Sequence, residues 1–329
     1  MNIKARLAAG VAGALIAATG MASAEVTLNA VTGLPSPTPV SQVFLEYVER
    51  VNAAGEGVVR INYMGGPEVM PPARQAASLQ RGLIDILHAP ASFYAGSVKE
   101  VDALLAVNRP MSEVRENGGL DLVSDLWTDQ INARVLGWFD SSVRFNMYLA
   151  EMPEITETGV SLEGMKLFTT PTYRDFQEAL GATPVAIEVG EIMTALDSGV
   201  IDGYGWPDYG LVALGFGRHT KVRIDPPFYS GNVLALVNTD KWNSLPQEAR
   251  DILTEQAIAW EADAVAFIQG FKEAEEKALL DGGMEIVELS GAAADAYLAL
   301  AYDKLWARLA ASGSEHAEAL KSALHDARR

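Results

Sequence analysis

Between Ser161 and Tyr209 the chain alternates short apolar runs with amphipathic ones: SLEGMKLFTTPTYRDFQEALGATPVAIEVGEIMTALDSGVIDGYGWPDY. The apolar runs at Met165–Thr169 and Thr183–Ile187 predict two short strands with a helix between them. A second helix covers Glu188–Ser198, and the turn Gly199-Val200-Ile201-Asp202-Gly203 follows. Strand–helix–strand–helix order calls for a parallel or mixed sheet covered by helices. The stretch holds no nucleophile–base pair, no metal-ligand spacing and no phosphate loop. It presents aromatic and polar side chains from strand ends and loops, which suits a surface that captures a small molecule better than one that transforms it.

The same alternation opens the chain. Val26–Thr32 reads as a strand, Val40–Ala53 as a helix broken by Gly55-Glu56-Gly57, and Val58–Tyr63 as a second strand. A GGPEVMPP loop, a helix over Ala73–Arg81 and a buried strand over Leu83–His88 complete a first unit. The pattern restarts at Ala133–Phe139 and again at Met165, so two α/β lobes are expected. From Pro246 to Asp281 apolar residues recur at helical spacing, interrupted only by Gly270. One helix of that length spans ~50 Å, enough to cross both lobes; a break near Gly270 is the alternative. Two further helices, Ala292–Leu309 and His316–Ala327, close the chain.

Residues 1–24 have the parts of a secretory signal: Lys4 and Arg6, an apolar run from Leu7 to Thr19, and Ala22-Ser23-Ala24. The run is shorter than the ~20 residues of a spanning helix. The expectation is a protein free in the periplasm, beginning near Glu25. The chain has no Cys, which excludes disulfides, thiolate metal sites and cysteine nucleophiles. Its formal net charge of −18 repels phosphate backbones, so nucleic acid is not an expected partner. It does not forbid an anionic ligand, because an Arg in a dry cleft dominates at short range.

Several segments in order then carry a family likeness. They are Gly65–Val69; Arg81-Gly82-Leu83-Ile84-Asp85; Arg144 in SSVRFN; Leu162–Lys166; Ala179–Pro184; Gly190–Leu196; Gly199–Gly203; and Val237-Asn238 with Lys241–Pro246. Together they resemble the solute-binding proteins of tripartite ATP-independent periplasmic (TRAP) transporters. The resemblance implies two α/β lobes with mixed sheets, crossover strands and a long interlobe helix. It places lobe I at 25–143 plus 225–265 and lobe II at 144–224 plus 266–329, with the helix near 246–281 crossing both. It also implies hinge closure on a small-molecule ligand, an organic acid first of all, and delivery to the membrane subunits of an ion-gradient-driven TRAP permease. No cofactor and no ATPase are implied, and a monomer is expected.

One departure bears on the ligand. The family usually follows Gly-x-Lys-hydrophobic with an Arg that forks onto a carboxylate, and here Gly164-Met165-Lys166-Leu167 is followed by Phe168. A phenyl ring cannot replace a bidentate guanidinium. The candidate binding residues are therefore Arg144, Phe168, Arg174, Trp206, Asp208, Tyr209 and Tyr229. Arg144 matches an upstream family Arg, with an interlobe salt bridge as its other reading. Arg174 lies on the helix after Phe168, where a solvated face competes with binding. Trp206, Asp208 and Tyr209 share a Gly/Pro-rich loop with Tyr204, and Tyr229 lies where the chain returns to the first lobe. A non-acidic aromatic or hydroxylated ligand, or a sensory role, is the alternative. An enzyme finds little support: His88, His219, His316 and His325 are scattered, and no GxSxG elbow is present.

Overall fold

The structure, a computed structural model, describes residues 25–156 and 159–326. The expected leader and Ala327 lie outside them. In chain order the strands are β1 (Val26–Thr32), β2 (Val59–Gly65), β3 (Ile86–Pro90), β4 (Ala133–Gly137), β5 (Arg144–Leu149), β6 (Glu154–Thr156), β7 (Gly159–Ser161), β8 (Lys166–Phe168), β9 (Thr183–Val185), β10 (Gly203–Pro207), β11 (Val222–Ser230), β12 (Val233–Asn238) and β13 (Glu285–Glu288). Two mixed sheets result, ordered β2-β1-β3-β12-β4 and β13-β11-β5-β10-β8-β9. They are the centres of two lobes, as the sequence pattern anticipated.

Each sheet is buried on both faces by helices, which is why its central strands read as continuous apolar runs. Against one face of the first sheet packs the helix Pro39–Ala54, with Phe44, Tyr47 and Val51 buried beside Leu253 and Trp260 of the long helix. The other face takes Gly119–Ile131, through Trp127 and Val123. In the second sheet, Phe145, Met147 and Leu149 point to the helices Pro171–Ala179 and Ala292–Ala311, while Tyr148 points to the opposite cluster with Phe168 and Ile192. This is the period-two alternation of a strand.

The long helix is continuous over 35 residues, Gln247–Asp281. Gly270 does not break it, because buried Trp260, Ala264 and Ile268 anchor the helix on lobe I while Leu279 anchors it on lobe II. That packing outweighs the ~1 kcal/mol a helical glycine costs.

The expected lobe limits differ from the sheets in two places. The chain crosses back between Ser230 and Val233, not at 224/225, because Val222–Ile224 and Tyr229–Ser230 pair with β5. The helix Ala317–Leu324 buries Leu320 and Leu324 in the lobe I cluster with Trp127. We propose lobe boundaries on those lines.

Buried carboxyls give the fold a pH dependence. Burial raises Asp102, Asp208, Glu261 and Glu275 above their ordinary values, against nearby cations or backbone donors. A carboxyl raised in the folded state contributes stability that is full below its unfolded pKa, ~4, and is lost as pH rises through the folded value. Glu68, lowered by the Gly66 N–H, and His325, lowered by burial, act in the opposite sense. His325 opposes the four only below ~6.5 and Glu68 only near ~4. The thermal midpoint should therefore be higher at pH 5 than at pH 7.5. A lower midpoint at pH 5 would contradict this balance.

Candidate functional site

The crossovers locate the cleft. The chain leaves lobe I from the carboxyl end of β4 and enters lobe II at the amino end of β5. It returns from the carboxyl end of β11 to the amino end of β12. Since β12 is antiparallel to both β3 and β4, and β3 is parallel to β1, which is parallel to β2, the carboxyl ends of β1–β4 share the interlobe edge. In lobe II, β10 and β11 are antiparallel to β5, and β8 and β9 run with β10. Their carboxyl ends face the same way. The crevice outside the carboxyl ends of strands is where α/β sheets bind ligands. Its lobe I wall carries Thr32, Gly65-Gly66 and Pro90. Its lobe II wall carries Phe168, Val185 and Pro207, and Arg144 sits at the floor, beside the crossover.

Arg144 is half-buried and fixed. Its Nη1 donates to the carbonyls of Ser141 (2.6 Å) and Val143 (2.9 Å). No described residue accepts a hydrogen bond from its Nε or Nη2, so one edge of the guanidinium fork stays open. Burial lowers its pKa, and the neighbouring Tyr302 and Asp208 oppose that shift. Asp140, four residues earlier, forms no salt bridge with Arg144 and is engaged elsewhere. Its carboxylate accepts from the Tyr209 hydroxyl (2.9 Å) and meets His88 Nε2 at 3.2 Å, all three side chains buried.

Trp206 is half-buried at the end of β10. Phe168 lies behind it, 2% exposed, with ring centroids 6.5 Å apart, and Phe216 braces the indole from another side at 5.3 Å. Asp208 is held at the crossover: Oδ2 meets Lys272 Nζ at 2.6 Å, and Oδ1 accepts from the Arg144 backbone N–H at 3.2 Å. Tyr229 is buried and donates to the Ala301 carbonyl at 2.9 Å. Arg174 is exposed on the outer helix face, 3.5 Å from Glu178. The structure thus brings Arg144, Phe168, Trp206 and Asp208 to one edge, commits the hydroxyls of Tyr209 and Tyr229 to internal bonds, and turns Arg174 to solvent.

Residues on that edge that sequence reasoning passed over come mostly from lobe I: Ser36, Tyr63 and Glu68, with Tyr302 from the penultimate helix. The Pro-rich loop after β1 and the Gly-Gly pair after β2 were the available signals, since loops following strand ends carry binding. A separate cavity of about 230 Å³ lies between the long helix and the lobe II sheet. Its Arg223 is saturated by Asp225 and Glu276, and its Lys272 by Asp208, so among the described residues it offers no free cation.

The sequence profile of the bacterial extracellular solute-binding protein family 7 (DctP) matches residues 153–312. With the two-lobed fold, this match makes the chain similar to the TRAP solute-binding proteins, which are receptors and not enzymes. The family binds small molecules and works with membrane permease subunits. A Sinorhizobium fredii protein of uncharacterised role is 27% identical over 198 residues, 58% of this chain and only 36% of that protein. A monocarboxylate 2-oxoacid-binding periplasmic protein of a Nostoc species is 22% identical over 260 residues, 74% of this chain and 68% of that one. A marine-metagenome TRAP solute-binding protein specific for aromatic acids has a solved structure with a TM-score of 0.73 and 24% identity, covering 92% of this chain and 97% of that one.

Proposed function

We propose that this receptor captures a small organic acid between its lobes, closes about the crossovers, and presents the acid to a TRAP permease. The observation that carries this is Arg144. Two backbone carbonyls immobilise one nitrogen and leave the Nε–Nη2 edge open at the cleft floor, the geometry that receives a carboxylate bidentately. Trp206, stiffened by Phe168 and Phe216, offers an apolar wall to the body of the ligand. The aromatic-acid and 2-oxoacid specificities of the two similar proteins support an acid as the ligand class. Asp208, Tyr209 and Tyr229 serve the hinge in this reading, and Arg174 has no part in binding. Closure follows from a ligand that touches both walls and so binds the closed state better than the open one. The leader-like residues 1–24 would deliver the protein to the periplasm.

A thermal-shift screen of small carboxylic acids, each beside its neutral amide, tests the proposal. An acid at about 100 times its dissociation constant should add ~2.7 kcal/mol of stability, and its amide should add little. Amides that stabilise as strongly as their acids would remove the basis for placing a carboxylate on Arg144.

A further inference from the structure

The lobe I wall carries three hydroxyl groups whose protons can be counted. Thr32 Oγ1 donates to the Leu34 carbonyl at 2.8 Å. Its single proton is spent, so in its contact with Tyr63 at 2.9 Å the tyrosine is the donor. The Tyr63 proton is then spent too, and in the 2.7 Å contact between Ser36 Oγ and Tyr63 the serine must donate. The relay runs one way, from Ser36 through Tyr63 and Thr32 to Leu34. It ends with Ser36 Oγ carrying lone pairs and no available proton.

The loop that bears Ser36 is stiff. Gln42 Nε2 donates to the Ser36 carbonyl at 2.7 Å, Ser41 Oγ donates to the Leu34 carbonyl at 2.9 Å, and Thr38 Oγ1 donates to the Pro35 carbonyl at 2.7 Å. Beside it stands Glu68, whose Oε1 accepts from the Gly66 N–H at 2.6 Å. Its other oxygen lies near the Thr32 end of the relay: a Cβ on Gly66 would lie 2.7 Å from the Leu34 carbonyl, 3.1 Å from Glu68 Oε2 and 3.3 Å from Thr32 Oγ1. Glu68 is exposed, and the backbone N–H groups of Gly66 and Glu68 keep it ionised by lowering its pKa.

We infer that the lobe I wall is an acceptor-only subsite, built from Ser36 Oγ and Glu68 Oε2, that reads a hydrogen-bond donor on the part of the ligand remote from its carboxylate. The inference rests on the acid-binding reading above and narrows it. The ligand is an acid carrying a hydroxyl or an ammonium group, with its carboxylate on Arg144 in lobe II and its donor on lobe I. Such a ligand joins the two walls through complementary groups, and an acid without a donor engages only one of them. A second carboxylate at that end would face Glu68, so a dicarboxylate should bind more weakly than a donor-bearing monoacid.

The test uses calorimetric titration of the full chain with benzoate, 3-hydroxybenzoate and 3-(aminomethyl)benzoate, repeated for Ser36→Ala and Glu68→Gln. In wild type at least one donor-bearing acid should bind about tenfold or more tighter than benzoate, the scale of a hydrogen bond to a charged group. Each variant should shrink that ratio while leaving benzoate itself within about twofold. A hydroxyl source keeps the advantage with 3-hydroxybenzoate, and an ammonium source moves it to the aminomethyl acid and makes it the more sensitive to Glu68→Gln. Equal binding of all three acids, or a ratio that survives both substitutions, overturns the subsite and leaves the acid reading standing. Failure of all three acids to bind, where their amides do bind, overturns the acid reading and this inference with it.

Discussion

Replacing Arg144 with alanine is expected to weaken binding of a carboxylate ligand by about 2–5 kcal/mol, some 30-fold to several thousand-fold. The size comes from the burial of the group. A carboxylate drawn to the cleft floor gives up its water, and without the open Nε–Nη2 edge nothing described there replaces it. Arg144→Lys should also weaken binding, because an ammonium gives a point charge where the fork gave two parallel donors. The fold should survive both changes. The Val143 carbonyl keeps the Gly231 N–H at 2.9 Å, and the backbone of Arg144 stays paired with Asp208 through its carbonyl at 2.8 Å. Calorimetry with the best acid from the screen, with the melting midpoint as a control for folding, reads the effect. Unchanged affinity in both variants would make Arg144 a purely structural residue.

Glu261→Ala should cost about 3–5 kcal/mol of stability, a fall in the melting midpoint of roughly 10 °C. Glu261 is a buried acid on the lobe I half of the long helix. Its oxygens accept from Arg115 Nε at 2.6 Å and Nη2 at 2.9 Å, and from the Trp138 N–H at 2.8 Å. Removing it leaves a partly buried guanidinium without its bidentate partner and a buried N–H without an acceptor. Trp138 also donates through Nε1 to the Gly231 carbonyl at 3.0 Å, so the indole joins the two crossovers. The damage should therefore reach the hinge as well as the helix. Glu261→Gln, which keeps acceptor oxygen, should cost less. A melting midpoint for Glu261→Ala within 2 °C of wild type would show that the pair contributes little beyond its desolvation.

The sequence revealed the fold where periodicity was strong. Val26–Thr32 coincides with its strand, and the amphipathic runs at 40–53 and 73–81 match helices to within a residue or so. β10 and β12 do not read as strands in the sequence. GYGWP has glycine at alternate positions, so its hydrophobic period is lost, and VLALVN is apolar throughout because both of its faces are buried. The pattern of Glu188–Ser198 reads as one helix. The chain makes a 3-10 turn at Val189–Glu191 first, held by reciprocal capping between Glu188 and Glu191. At the site, the family likeness singles out Arg144 and aromatic type in a Gly/Pro-rich stretch singles out Trp206; the structure sets Arg144 at the start of β5 and Trp206 on β10, not in a loop. The Ser36–Tyr63–Thr32 relay was not legible. It joins residues up to 31 positions apart through a sheet register that no local pattern encodes.

A crystal structure of the protein with its best-binding acid would show directly where the carboxylate sits. The carboxylate is expected within ~2.7–2.9 Å of Arg144 Nε and Nη2, with the body of the ligand against Trp206 and both lobes in contact with it. An acid seated in the cavity beside Arg223 and Lys272, or bound in the cleft with its carboxylate turned away from Arg144, would contradict that placement.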